Sequence, residues 1–71
     1  MHIKYDAAAD SAYIYLVEFI GAGEVAKTYP CDPREVGGEI NLDFDGEGRL
    51  IGTEVLDASR ALPAGLLRGQ G

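Results

Sequence analysis

Residues 39–59, EINLDFDGEGRLIGTEVLDAS, constrain the fold more than any other stretch of this chain. Ile40, Leu42 and Phe44 alternate with Asn41 and Asp43, which is the period of a strand with one buried face. Asp45-Gly46-Glu47-Gly48 is turn chemistry, and residues 49–56 resume an extended pattern. The segment therefore predicts a β-hairpin whose glycines supply the positive φ of the turn. Glu39, Asn41 and Asp43 are expected on its polar face. Gly52, inside the second arm, points to a bulge or to the close approach of another element. Asp57 or Ser59 is a candidate helix N-cap, followed by a short helix carrying Ala61 and Leu62.

The same residues have a competing reading by spacing. Asp43, Asp45 and Glu47 fall where an EF-hand loop holds its first side-chain ligands for calcium, Gly48 falls at its glycine, and Glu54 falls at its closing bidentate carboxylate. That loop is entered from a helix, whereas the residues before Asp43 alternate with period two and follow Gly37-Gly38. Ile51 is apolar at a ligating position, and the chain has no second such loop. The hairpin explains more residues, so no metal or other cofactor is expected. Asp43, Asp45, Glu47 and Glu54 remain the candidates for a cation site on the acidic turn.

The rest of the chain extends the sheet. Residues 2–5 read as a first strand and 6–11 (DAAADS) as a turn. Residues 12–20 (AYIYLVEFI) form an almost continuously apolar run expected to be one long strand, paired as a hairpin with 24–29 (EVAKTY) across Gly21-Ala22-Gly23. Residues 30–38, with Pro30, Pro33 and Gly37-Gly38, read as a loop. The expected class is α+β and mostly β: an antiparallel sheet of about five strands, built from hairpins, with a short C-terminal helix. Leu62, Leu66 and Leu67 are expected to cover one face of the sheet. The second strand is apolar on both faces, Tyr13, Tyr15 and Val17 against Ala12, Ile14 and Leu16. One short helix cannot bury both, so a homodimer is expected.

With 71 residues the chain makes one small domain, expected over 1–67, with 68–71 fraying. A net charge of −6 excludes direct binding to a nucleic-acid backbone and suits a basic protein partner or cations. Cys31 is the one cysteine, which excludes a disulfide scaffold and a cysteine-rich zinc site. No apolar run approaches the roughly 20 residues that span a bilayer. The opening residues MHIKYD lack a signal-peptide core, so a cytoplasmic protein is the expectation.

Other chemistry is thinly represented. Cys31 has Arg34 nearby but no base close in sequence, because the one histidine is His2. His2, Tyr5, Tyr13, Tyr15 and Tyr29 could line a small pocket, although strand tyrosines more often pack with an exposed hydroxyl. Glu54 and Asp57 could form a carboxylate pair only inside a cleft with opposed environments. No phosphate loop, nucleophile elbow or dinucleotide fingerprint is present, and no enzymatic activity is expected.

Two segments, HIKYDAAADSAYIYL and INLDFDGEGRLIGTEVLDASRALP, resemble blocks of a family of small prokaryotic proteins, the domain of unknown function DUF2283. Tyr5, Asp6, Asp10, Tyr13, Asp43, Asp45, Gly48, Gly52, Glu54, Leu56, Ala58 and Ser59 occupy the block positions. The chain departs from the pattern at Thr53, where an aliphatic residue is usual, and in the 30–38 loop. The resemblance implies a small β-rich single domain with no catalytic residue to carry over. It also implies a place in toxin–antitoxin-type gene pairs, as a protein-binding antitoxin, and the acidic charge makes a basic toxin the fitting partner. The expected function is thus a non-enzymatic, dimeric protein-interaction module, antitoxin-like, with a basic toxin-like partner. The alternative is a small cation- or ligand-binding domain using the 43–54 carboxylates.

Overall fold

The structure, a computed structural model, describes residues 1–68. Five strands form one antiparallel sheet: β1 (His2–Asp6), β2 (Ser11–Tyr15), β3 (Lys27–Pro30), β4 (Ile40–Phe44) and β5 (Leu50–Leu56). Three one-turn helices accompany them: α1 (Pro33–Val36), α2 (Ala58–Ala61) and α3 (Ala64–Leu67). The mostly-β antiparallel architecture is as expected from the alternating segments. The fraying expected of 68–71 falls, beyond Arg68, outside the described residues.

The order across the sheet is β1-β2-β5-β4-β3. This corrects the expected pairing of the second and third strands. β2 lies between β1 and β5, and β3 pairs with β4 at the far edge. The expected strand over 12–20 ends at Tyr15, because the chain must leave β2 to reach that edge. Leu16 still donates its amide to the Ile51 carbonyl at 3.0 Å, and Ala26 donates to the Phe44 carbonyl at 2.8 Å. Between these anchors, residues 16–26 form an irregular connector, despite the strand propensity of the LVEFI segment. The 30–38 loop contains α1, which Asp32 caps by accepting the Arg34 amide at 2.9 Å.

The β4–β5 hairpin closes as its residues dictate. Asp45 and Arg49 pair through backbone, the Gly48 amide donates to the Asp45 carbonyl, and Gly48 has φ +80. This is a three-residue loop with its glycine in the left-handed position. Gly46 does not adopt positive φ, which corrects half of the expected turn. The register slips between Asp43 and Phe44, leaving Ile51 as the extra, buried residue beside Gly52.

The core lies between the sheet and α2 and α3. Ala12, Val55 and Ala58 are buried at its centre, with Ile3, Tyr5, Ile14, Ile40, Leu62 and Leu67 packed around them. Small residues at Ala12 and Ala58 let α2 sit close to the sheet. Leu66, expected to join Leu62 and Leu67, is largely exposed instead. A one-turn helix has room for few inward positions.

Candidate functional site

Residues directly opposite one another in an antiparallel pair share a face. The registers therefore sort the sheet into a helix-covered side and an open side. On the open side one cross-strand row runs His2, Tyr15, Gly52, Asp43, Thr28. The next row runs Lys4, Tyr13, Glu54, Asn41, Pro30. Both α2 and α3 pack on the opposite side, through Ala58, Leu62 and Leu67.

Gly52 organises these rows. A Cβ there would meet the Tyr13 ring at 2.6 Å from Cε1 and 2.7 Å from Cζ. Tyr13 thus leans out of its own row, across the glycine, and donates its hydroxyl to Asp43 Oδ2 at 2.5 Å. Asp43 Oδ1 accepts from the Thr28 hydroxyl at 2.6 Å, so both carboxylate oxygens are engaged. Burial, and then the hydrogen bond to Asp43, hold the Tyr13 phenol protonated far above its ordinary range. Tyr15 stands beside Tyr13 with ring centroids 4.7 Å apart, and His2 stacks on Tyr15 at 4.4 Å.

The lean of Tyr13 empties part of the second row. A concavity of about 350 Å³ opens there, walled by Lys4, Asp6, Ser11, Tyr13 and Glu54. Glu54 is exposed, and its Oε1 accepts from Asn41 Nδ2 at 3.1 Å. Among the described residues it takes part in no ion pair.

A second network fastens the helices to the first hairpin. Asp10, with φ 51, accepts the Tyr5 hydroxyl at 2.7 Å, the Ser59 amide at 3.0 Å and the Ser59 hydroxyl at 2.7 Å. Its backbone carbonyl accepts the Ala58 amide at 2.9 Å. Asp10 therefore performs the N-capping of α2 that was expected of Asp57 or Ser59. Asp57 has φ 52 and makes no side-chain cap. The hydrogen bonds from Tyr5 and then Ser59 hold the Asp10 carboxyl below the usual aspartate range. The same bond raises the Tyr5 phenol.

The four cation candidates are dispersed. Asp43 is committed to Tyr13 and Thr28. Asp45 folds the turn, accepting the Glu47 and Arg49 amides at 2.9 Å each. The Arg49 amide is the main reason the Asp45 carboxyl titrates low. Glu47 pairs with the Arg49 guanidinium, and Glu54 faces Asn41. No three of the His, Cys, Asp and Glu side chains among the described residues converge as metal ligands would. The expected aromatic pocket is split. His2, Tyr13 and Tyr15 share the open face, whereas Tyr5 packs against the core and Tyr29, opposite Leu42, faces the other side. Cys31, partly exposed, binds through its amide to the Ile40 carbonyl at 2.9 Å. Glu54 lies on the open face while Asp57 starts α2, so their spacing in sequence does not make an acid–base pair.

Residues missed by reading the sequence are Thr28 and Lys4, and Asn41, expected on the polar face, was not foreseen as the partner of Glu54. Thr28 and Asn41 act only through strand register, and Lys4 is a lone exposed charge.

A family profile described as "Protein of unknown function (DUF2283)" matches residues 2–59. No curated protein and no solved structure matches the chain. No helix among the described residues is long and apolar enough to cross a membrane. The matched span includes both networks, from Tyr5 and Asp10 to Ser59, and from Tyr13 to Asp43 and Gly52.

Proposed function

We infer that this chain, which belongs to the DUF2283 family, is a non-enzymatic protein-interaction module that pairs with a second copy of itself and presents its open sheet face to a basic partner. One observation carries the pairing. The buried hydrophobic residues among those described are Ala12, Ile51, Val55 and Ala58, and no large side chain is fully buried. So small an interior leaves a domain of this length short of hydrophobic stabilisation.

Of the large apolar side chains left exposed, Met1, Tyr29, Val36 and Leu66 are scattered, and the other five gather in one region. Leu16, Val17, Phe19 and Val25 belong to the 16–26 connector, and Leu50 begins the adjacent β5. Phe19 is 76% exposed. A second copy seated there removes these residues from water, and a stable pair needs roughly 800 Å² from each partner. An antitoxin-like role, with a basic toxin-like partner on the remaining acidic surface, is consistent with the net charge of −6.

The test is light scattering with thermal melts over a range of concentrations. The reading expects twice the chain mass at micromolar concentration, a Tm that rises with concentration, and a shift toward monomer for Phe19→Asp. A monomer throughout, with a Tm independent of concentration, refutes it.

A further inference from the structure

We propose that the concavity beside Glu54 is the receptor for an arginine side chain of the basic partner. The proposal rests on the interaction-module reading and gives that partner its chemistry. Three features of the site converge on a guanidinium.

The first is a free charge within the concavity, whose other carboxylate, Asp6, folds back onto the Ala8 and Ala9 amides. Asp43, Asp45, Glu47 and Asp32 are each engaged by hydroxyls, backbone amides or arginine. Glu54 receives only the Asn41 amide on Oε1, which orients the carboxylate and leaves Oε2 available. It stands mid-strand on a rigid sheet, so its position is held before a ligand arrives.

The second is the ring. Tyr13 is locked by its bond to Asp43 and by the glycine it lies over, and it forms one wall of the concavity that contains Glu54. A planar guanidinium stacks on an aromatic face while bonding a carboxylate at its edge. A hydrated ammonium gains less from the same pair.

The third is space and field. About 350 Å³ accommodates one long side chain, and the chain's net charge of −6 draws a basic segment toward it. Lys4, on the far wall, is the one cation of the lining. It disfavours a second positive charge next to the first, so the site selects a spaced arginine over a polylysine run.

The experiment is an amide NMR titration of the full chain with an acetylated, amidated peptide of four Gly-Arg repeats. The same peptide with citrulline in place of arginine is the neutral control. The expected result is saturable shifts centred on Ser11, Tyr13, Asn41 and Glu54 with the arginine peptide only. Glu54→Gln should weaken the binding by about tenfold or more, since a charge-assisted bond is lost. Tyr13→Phe, which keeps the ring, should retain the map of shifts.

Shifts centred on the Asp45–Glu47 turn, or unchanged by Glu54→Gln, mean diffuse attraction to an acidic surface and overturn the assignment. So does the absence of saturable binding at millimolar peptide. A pair that still forms in light scattering while the peptide fails leaves the interaction reading standing and removes this site alone.

Discussion

Replacing Gly52 by alanine is the most searching perturbation of the open face. The new methyl would overlap the Tyr13 ring, whose Cε1 and Cζ lie 2.6 and 2.7 Å from the position it needs. The ring cannot yield by a few tenths of an ångström, because its hydroxyl is tied to Asp43 at 2.5 Å. Forcing a methylene into such a site costs about 1–3 kcal/mol. Displacing the ring also forfeits a hydrogen bond to a charged acceptor, about 1.5–3 kcal/mol. Alanine returns about 0.5–1 kcal/mol through its better backbone entropy in a strand. The net loss is about 3 kcal/mol, a large share of the stability of a domain this size. Tm should fall by more than about 10 °C. Urea denaturation in a double-mutant cycle isolates the cause. In a Tyr13→Phe background the cost should fall without vanishing, because the ring remains but has lost its tether to Asp43. In a Tyr13→Ala background Gly52→Ala should cost nothing and stabilise by up to about 1 kcal/mol, since nothing then occupies the space. An equal cost with and without the Tyr13 ring refutes the close-approach argument.

Two further outcomes follow from the same geometry. Asp10 titrates below its usual 3.8, so it adds stability above that pH and loses it as pH falls lower. Tyr5, raised above 10.0, keeps its contribution below that pH and loses it as pH rises past. Asp10→Asn should therefore make both the acid and the alkaline limb of a stability–pH curve from urea melts shallower, with Asp32 and Asp45 sustaining part of the acid limb and Tyr13 part of the alkaline one. In the hairpin loop Gly48→Ala should lower stability by about 1–2 kcal/mol, because an L-residue is strained at positive φ. Gly46→Ala, with open space and no positive φ, should leave the melting curve unchanged.

The sheet was readable where residues alternate over a short turn. Ile40, Leu42 and Phe44, then Asp45 to Gly48, specify a hairpin through interactions a few residues apart. The β2–β5 pairing was not readable for the opposite reason. LVEFI has the composition of a strand, but β5 takes the place beside β2, and composition carries no record of which distant strand wins. Gly52 announced a close approach without naming the visitor, since Tyr13 meets it only through the β2–β5 register. Asp10 looked like a turn residue, and its capping of α2 depends on a contact 49 residues away. Glu54 is legible in the sequence only as a candidate cation ligand or as half of a carboxylate pair. Its place beside a displaced tyrosine became visible only with the row of neighbours around it.

The strand order has a consequence for how the chain reaches this state. β1 and β2 can pair as soon as both exist, but the other edge of β2 waits for β5. The Asp10 clasp waits longer, until Ser59 is present to occupy it. A chain made from its N-terminus thus carries a hairpin with one unsatisfied edge while the remaining strands are added. Its assembly is governed by late, non-local closure, which slows folding relative to a simple meander of equal length. In that interval the tyrosine-rich β2 is exposed to whatever strand arrives first.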